Sequence, residues 1–201
     1  MSTLERPPGA ADPGLPRRAD AIRNRDAILA SAGELFVRDG WQTAMADVAQ
    51  AAGVAVGTLY RHFPSKDALV GALLSRLFDR AAATVVAVQV SQGAPFERLA
   101  QALRTGAVDV ATHPLTRLGG TGSAAWEHAA PSRVRFDHAY APLVEAAHAD
   151  GSLRADFTAA DVGPVMAALC ATVDPAAPDR SCRLLEILIA GLPPPGHRRT
   201  R

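Results

Sequence analysis

The sequence predicts an all-α protein: a small three-helix unit built around a helix-turn-helix, then a larger helical domain of about six helices. Three observations carry this. Apolar residues recur at helical spacing along most of the chain; Ile28, Ala32, Leu35 and Phe36 fall at i, i+4, i+7 and i+8 on one face. Sustained apolar–polar alternation bounded by turns, the mark of half-buried strands, is missing. Between the periodic segments, Gly, Pro and cap residues stand where helices must stop and restart.

Residues 1–17 are rich in Pro, Gly and Ala without periodicity and read as a disordered tail. The helix-turn-helix unit is assigned to residues 18–66. Its first helix runs from Ala19 to Arg38 and is stopped by Asp39-Gly40. Thr43 is the expected cap of a second helix reaching about Ala52, and Gly53 is the expected tight turn. A short third helix follows from about Val56 to Phe63. Ser65 then caps a long helix with Leu69, Leu73, Leu74 and Leu77 on one face and Asp67 near its positive end.

The larger domain is assigned to residues 67–192. Helices are expected over Pro95–Thr112, Thr121–Ala129 and Pro131–Ala149, with Pro142 kinking or splitting the last. Thr158 to Asp161 is a capping-box-like Thr-x-x-Asp that opens a helix through about Thr172. A strongly apolar helix over Ser181–Leu192 ends at Pro193-Pro194-Pro195, and residues 193–201 read as a flexible Arg-rich tail.

Bulk properties narrow the function classes. The chain has 201 residues, 48% of them apolar, and reads as globular. Net charge is only +1, so any nucleic-acid surface is local rather than spread over the chain. The two cysteines, Cys170 and Cys182, have no metal-ligand spacing and read as reduced, buried thiols of a cytosolic protein. No signal-peptide pattern opens the chain. The longest greasy stretch, Ala81 to Val90, is short of the roughly 20 residues of a membrane span. No cofactor, metal site or membrane partner is expected.

The informative stretch is TAMADVAQAAGVAVGTLYRHFPSKDAL, Thr43 to Leu69. A helix-turn-helix needs a bracing helix, a turn that tolerates positive φ, and a second helix that lies in the major groove. Val48, Ala49, Ala52, Val54, Leu59 and Phe63 supply an inner face. Thr58, Tyr60, Arg61 and His62 are left for phosphates and base edges. Arg61 reads either as a base reader or as a solvated side chain. Lys66, the only lysine in the chain, stands at a helix N-terminus, where a cation is unfavourable. That placement points to an outside anion such as phosphate. Arg17, Arg18, Arg23 and Arg25 extend the basic surface, although Arg17-Arg18 reads equally well as a solvated tail.

This stretch resembles the signature of the TetR family of bacterial repressors. GTLYRHFPSKDAL is similar to the family's recognition-helix ending and next helix start, and RADAIRNRDAILASAGELFVRDG to its first helix. ADGSLRADFTAADV and RLLEILIAGL resemble stretches of its regulatory domain. The resemblance implies that Thr43, Thr58, Tyr60, His62 and Lys66 contact DNA, mostly at phosphates, and that Gly57 permits close approach. Two positions depart from the family pattern: Ala44 replaces a frequent second threonine, and Val56 replaces a frequent basic residue. Both departures remove phosphate contacts.

The resemblance also implies a homodimer on a palindromic double-stranded operator, with repression released by a small, largely apolar effector in the bacterial cytoplasm. The expected dimer face is Val162, Val165, Met166 and Leu169 from one helix and Leu184, Leu185, Leu188 and Ile189 from the next. These residues read equally well as internal core. The expected effector-pocket residues are Trp126, Phe136 and Tyr140 as walls, His113, His128 and His138 as polar points, and Met166; the aromatics read more readily as ordinary core packing and the histidines as surface residues. A mostly apolar pocket is expected because few charges stand in that region.

Two rivals are weighed. Gly120-Thr121-Gly122-Ser123-Ala124-Ala125 mimics a dinucleotide fingerprint but lacks a preceding strand and a βαβ unit, which argues against a nucleotide-cofactor enzyme. A regulator controlled by protein contact alone would show a tightly filled domain with no cavity over Pro95 to Ala149.

Overall fold

A computed structural model of the chain describes residues 14–111, 113–118, 123–172 and 179–194. It is all-α: among the described residues there is no strand. The expected tails at 1–13 and 195–201 and the glycines of the dinucleotide-like run lie outside the described residues.

Helix α1 spans Gly14–Asp39, so it begins inside the stretch read as tail. It ends at Gly40, whose φ of +67° is open to glycine at no steric cost. Ile28, Leu29, Ala32 and Phe36 line its buried face. Helix α2 (Met45–Ala51) and helix α3 (Val56–His62) pack on that face through Val48, Ala49 and Leu59, with Phe63 closing the core. Gly53, at φ +66°, makes the turn between them. The cap of α2 is Ala44, not Thr43. The Thr43 hydroxyl instead donates toward the Gly40 carbonyl (3.0 Å) and the Leu35 carbonyl (3.3 Å), tying the chain to the end of α1.

Helix α4 (Lys66–Gln89) opens on Ser65, whose Oγ accepts the Ala68 N–H at 3.0 Å. It runs from the small unit into the larger one, and the Arg76–Asp26 ion pair at 2.9 Å ties it to α1. Helix α5 (Pro95–Gly106) continues as a wider π-type turn over Ala107–Ala111, then a short 3-10 turn at Pro114–Arg117.

Helix α6 spans Ala124–His138 and packs along α4 more extensively than any other pair of elements. The break expected near Ala130 is absent. Pro131 sits on the exposed side, while Ala125, Ala129, Ser132 and Phe136 bury a continuous stripe across it. The lost hydrogen bond is outweighed by that packing. The chain breaks instead at Ala139-Tyr140, and Pro142 takes the first turn of helix α7 (Ala141–Ala149), where its missing N–H costs nothing. Gln89 Nε2 donates to the freed Ala139 carbonyl at 2.8 Å.

Helix α8 (Ala159–Thr172) starts on the expected capping box: the Thr158 N–H and hydroxyl both donate to Asp161 Oδ2, at 2.7 and 2.8 Å. These bonds hold the Asp161 carboxyl below its ordinary range. Helix α9 (Asp179–Ala190) is joined to α5 by the bidentate Arg104–Glu186 pair at 2.7 and 2.9 Å. Of the two cysteines expected to be buried, Cys170 is, whereas Cys182 is exposed because it falls on the outer side of α9. No helix among the described residues is long and apolar enough to cross a membrane.

Candidate functional site

Two regions carry the candidate chemistry. The first is the exposed face of α3. Leu59 and Phe63 face the core, which turns Val56, Gly57, Tyr60 and Arg61 outward, at i, i+1, i+4 and i+5. A Cβ on Gly57 would meet nothing within 4 Å, so this edge is open to a close approach. Tyr60 is 46% exposed, and no described residue pairs with Arg61. Thr58 is half-buried at the rim. The exposed Val56 puts an aliphatic group at the leading end of the helix.

Other expected contacts sit elsewhere. Thr43 is buried, with its hydroxyl turned inward. His62 is half-buried; its Nε2 has no partner and no exposure, and its ring lines a crevice with Arg25, Arg76, Asp79 and His128. Lys66 Nζ donates to the Trp41 carbonyl and lies 5.0 Å from the Trp41 ring centroid and 5.9 Å from that of Phe36. The cation at the start of α4 therefore has an aromatic corner and a carbonyl as partners within the chain, and it stays partly exposed. Arg23 pairs with Asp20, and Arg25 sits 5.2 Å above the Phe63 ring. Arg17 and Arg18 fall near the start of α1; their side chains lie outside what the structure describes.

The second region is a cavity of about 340 Å³ within the larger domain. Trp126, Phe136 and Met166 line it as expected, together with Phe78 of α4. The Phe78 ring meets Trp126 edge-on at 5.7 Å and Phe136 at 6.0 Å. Trp126 Nε1 is buried with no partner; an unpaired buried donor costs about 1–3 kcal/mol, which an acceptor on a bound molecule offsets.

Four expected pocket residues are placed outside the cavity lining, the exposed His138 among them. Tyr140 is fully buried, its hydroxyl donates to the Ala102 carbonyl at 3.1 Å, and burial pushes its phenol far above the ordinary range. His128 lies in the crevice beside His62. His113 caps the Pro114–Arg117 turn, its Nδ1 accepting the Leu115 N–H at 3.2 Å.

Charged cavity residues were not anticipated from the sequence: Glu127, Arg133 and Asp137. The signal for two of them is the spacing of Trp126, Ala130, Arg133 and Asp137, one stripe along α6. Arg133 approaches Asp137 at 3.4 Å, and burial raises the Asp137 carboxyl above its ordinary range.

The expected dimer face divides. Val162, Met166, Leu169, Leu185 and Ile189 are buried within the chain, because the inner stripe of each amphipathic helix closes this domain's own core. Val165 and Leu188 are half-buried, and Leu184 is exposed. Ile187, not singled out by periodicity, is 62% exposed beside them.

Comparison with known proteins follows the same two regions. Residues 28–73 match the family model for bacterial regulatory proteins, tetR family. Residues 110–194 match the model for the C-terminal domain of SbtR-like transcriptional regulators. The HTH-type transcriptional repressor KstR of Mycolicibacterium smegmatis is 43% identical over 75 residues, 37% of this chain and 35% of that protein. The match thus spans about a third of that curated relative's length. Solved structures extend the likeness to nearly the whole chain. The regulator SCO0520 of Streptomyces coelicolor aligns with a TM-score of 0.59 at 27% identity, covering 86% of this chain and 99% of that one. A structure that gives the molecular basis for control of antibiotic production by a bacterial hormone aligns with a TM-score of 0.65 at 25% identity, covering 86% and 99%.

Proposed function

Because this chain belongs to the TetR family of bacterial regulatory proteins, we propose that it is a homodimeric repressor released from a double-stranded operator by a small, largely apolar ligand. The observation that carries the reading is the exposed face of α3, with Gly57, Tyr60 and Arg61 presented together beyond the Gly53 turn. A helix so mounted suits the major groove, its small residue giving clearance and its phenol and guanidinium reaching phosphates and base edges.

Ligand control is supported by the cavity, since control by protein contact alone predicts a filled domain. The hormone-controlled structural relative adds to this. Helix α4 is the natural lever: Phe78 touches the cavity, and Lys66 grips Trp41 in the DNA-reading unit. A hundredfold change in operator affinity requires a ligand to discriminate between the two states by about 2.7 kcal/mol. Dimerisation is assigned to the outer sides of α8 and α9, where Leu184 and Ile187 remain exposed. The site of action is assigned to the bacterial cytoplasm, at the nucleoid.

The test is binding of the purified protein to DNA flanking its own gene and to operator fragments selected from genomic DNA, across a salt series, with an unrelated duplex as control. Tight, selective binding with a steep salt slope is expected. Failure of every genomic fragment to bind better than the control overturns the reading.

A further inference from the structure

The charged side chains that line the cavity sum to minus one, and of the two carboxylates only that of Asp137 is withdrawn from solvent while Glu127 is exposed. Two carboxylates, Glu127 and Asp137, and one guanidinium, Arg133, line it. The Arg133 side chain is 43% exposed, whereas that of Asp137 is 18% exposed. Arg133 therefore spends its charge largely in water. Its 3.4 Å approach to Asp137 is long beside the roughly 2.7–2.9 Å of a strong charge-assisted bond; the Arg135–Asp79 pair, on the other side of the same helix, closes to 2.7 Å. Asp137 is thus half-buried, with Arg133 as a long-range ion-pair partner and the His138 ring acting on it through space.

Its neighbour across the seam explains how it is held there. A Cβ on Gly163 would lie 2.8 Å from Asp137 Oδ2 and 3.1 Å from its Cγ. Only a glycine lets α8 ride over this carboxyl, and Gly163 and Asp137 both line the cavity. Phe78, Trp126 and Phe136 line the same cavity, and aromatic rings of this kind attract cations at their faces. The volume of about 340 Å³ is at the small end for ligand sites.

We propose that the cavity takes a small organic cation, a protonated amine carried on a flat apolar frame, with the Asp137 carboxylate as its counter-ion and the Phe78, Trp126 and Phe136 rings as its walls. The unpaired Trp126 Nε1–H suits an acceptor atom on the same frame. Burial raises the Asp137 carboxyl above its ordinary range, and an ammonium beside it offsets that penalty. This assignment rests on the reading of the larger domain as a ligand sensor.

The experiment uses three probes of one shape: the cation 9-aminoacridine, neutral acridine and the anion acridine-9-carboxylate. Each is titrated calorimetrically into the DNA-free full-length protein near neutral pH. The cation is expected to bind at least about tenfold tighter than acridine, a difference of about 1.4 kcal/mol, and the carboxylate weakest. Asp137→Asn is expected to abolish the preference, Arg133→Gln to strengthen cation binding, and Ala167→Phe, which fills the cavity, to abolish binding of all three. Circular dichroism confirms that each variant is folded. The proposal is overturned if no probe binds, if acridine or the carboxylate binds as tightly as the cation, or if the preference survives Asp137→Asn or Ala167→Phe. Operator binding measured without probe separates the two readings. If it persists while the preference fails, only the ligand class falls; if it fails as well, the regulator reading falls too.

Discussion

A Cβ on Gly71 would lie 2.4 Å from the Cβ of His128 and 2.8 Å from the Ala125 carbonyl oxygen. Helices α4 and α6 therefore meet almost backbone to backbone at one point. Helix α6 carries the cavity wall from Trp126 to Asp137, and α4 starts at the Lys66 clamp on the DNA-reading unit. Because neither obstacle is the end of a flexible side chain, Gly71→Ala must push the helices apart. The expected cost is about 1–3 kcal/mol of stability, at about 2–4 °C of melting temperature per kcal/mol. Urea and thermal melts measure it. An unchanged midpoint would show that the crossing is loose.

The junction between the two units depends on one hydroxyl. Ser65 Oγ caps α4 by accepting the Ala68 N–H. Ser65→Ala is expected to cost about 1 kcal/mol, and Ser65→Asp to retain most of the stability, because a carboxylate also caps and favours the positive helix end. Comparison of the two denaturation midpoints checks this. An unchanged midpoint in Ser65→Ala would mean that the cap is irrelevant, and equal losses in both variants that a carboxylate does not replace it.

Tyr60 and Arg61 share the outward face of α3 but are expected to fail differently. Tyr60→Ala should weaken binding to operator and unrelated duplexes alike, as loss of a phosphate contact does. Arg61→Ala should cost about 1–3 kcal/mol at the operator and little elsewhere, as loss of a base contact does. Equal losses on both duplexes, with the salt slope reduced by about 1, would assign Arg61 to phosphate instead.

His113 gives the fold an acid-sensitive corner. Burial first, and the Arg80 charge second, hold its ring below the ordinary pKa of 6.5. The unfolded chain takes up the proton at a higher pH than the folded one. The associated stability is thus fully present above about pH 6.5 and is lost as pH falls through the folded value. Protonation also removes the lone pair that accepts the Leu115 N–H. His113→Asn is expected to flatten this part of the profile, read from urea midpoints between about pH 7.5 and about pH 5. An equally steep profile in the variant would shift the origin to another group.

The DNA-reading unit was legible because its signals are local. Gly40 and Gly53 stand where φ turns positive, and the inner residues Val48, Leu59 and Phe63 lie within a few positions of each other. The capping box at Thr158 and Asp161 is equally local. What periodicity hides is what lies opposite a helix face. Leu185 faces its own chain and Ile187 faces outward, yet both belong to the same apolar run. Pro131 misled because its cost is local, whereas the stripe from Ala125 to Phe136 that overrides it forms only against α4. Thr43 turns inward, and the partly exposed Lys66 gains a carbonyl partner, for the same reason: Leu35, Gly40 and Trp41 are brought to them by the end of α1 and the turn after it.

The placement of the two tryptophans has an optical consequence. The chain has no others. Trp41 lies under the Lys66 ammonium in the DNA-reading unit, and Trp126 stands edge-on to Phe78 in the cavity wall. Each half of the molecule thus contains its own intrinsic fluorophore, in surroundings different enough to separate their emission. With Trp126→Phe only the reader glows, and with Trp41→Phe only the sensor. Communication between the halves then becomes visible without an attached dye, as a change in the colour of one indole when the other end of α4 is occupied.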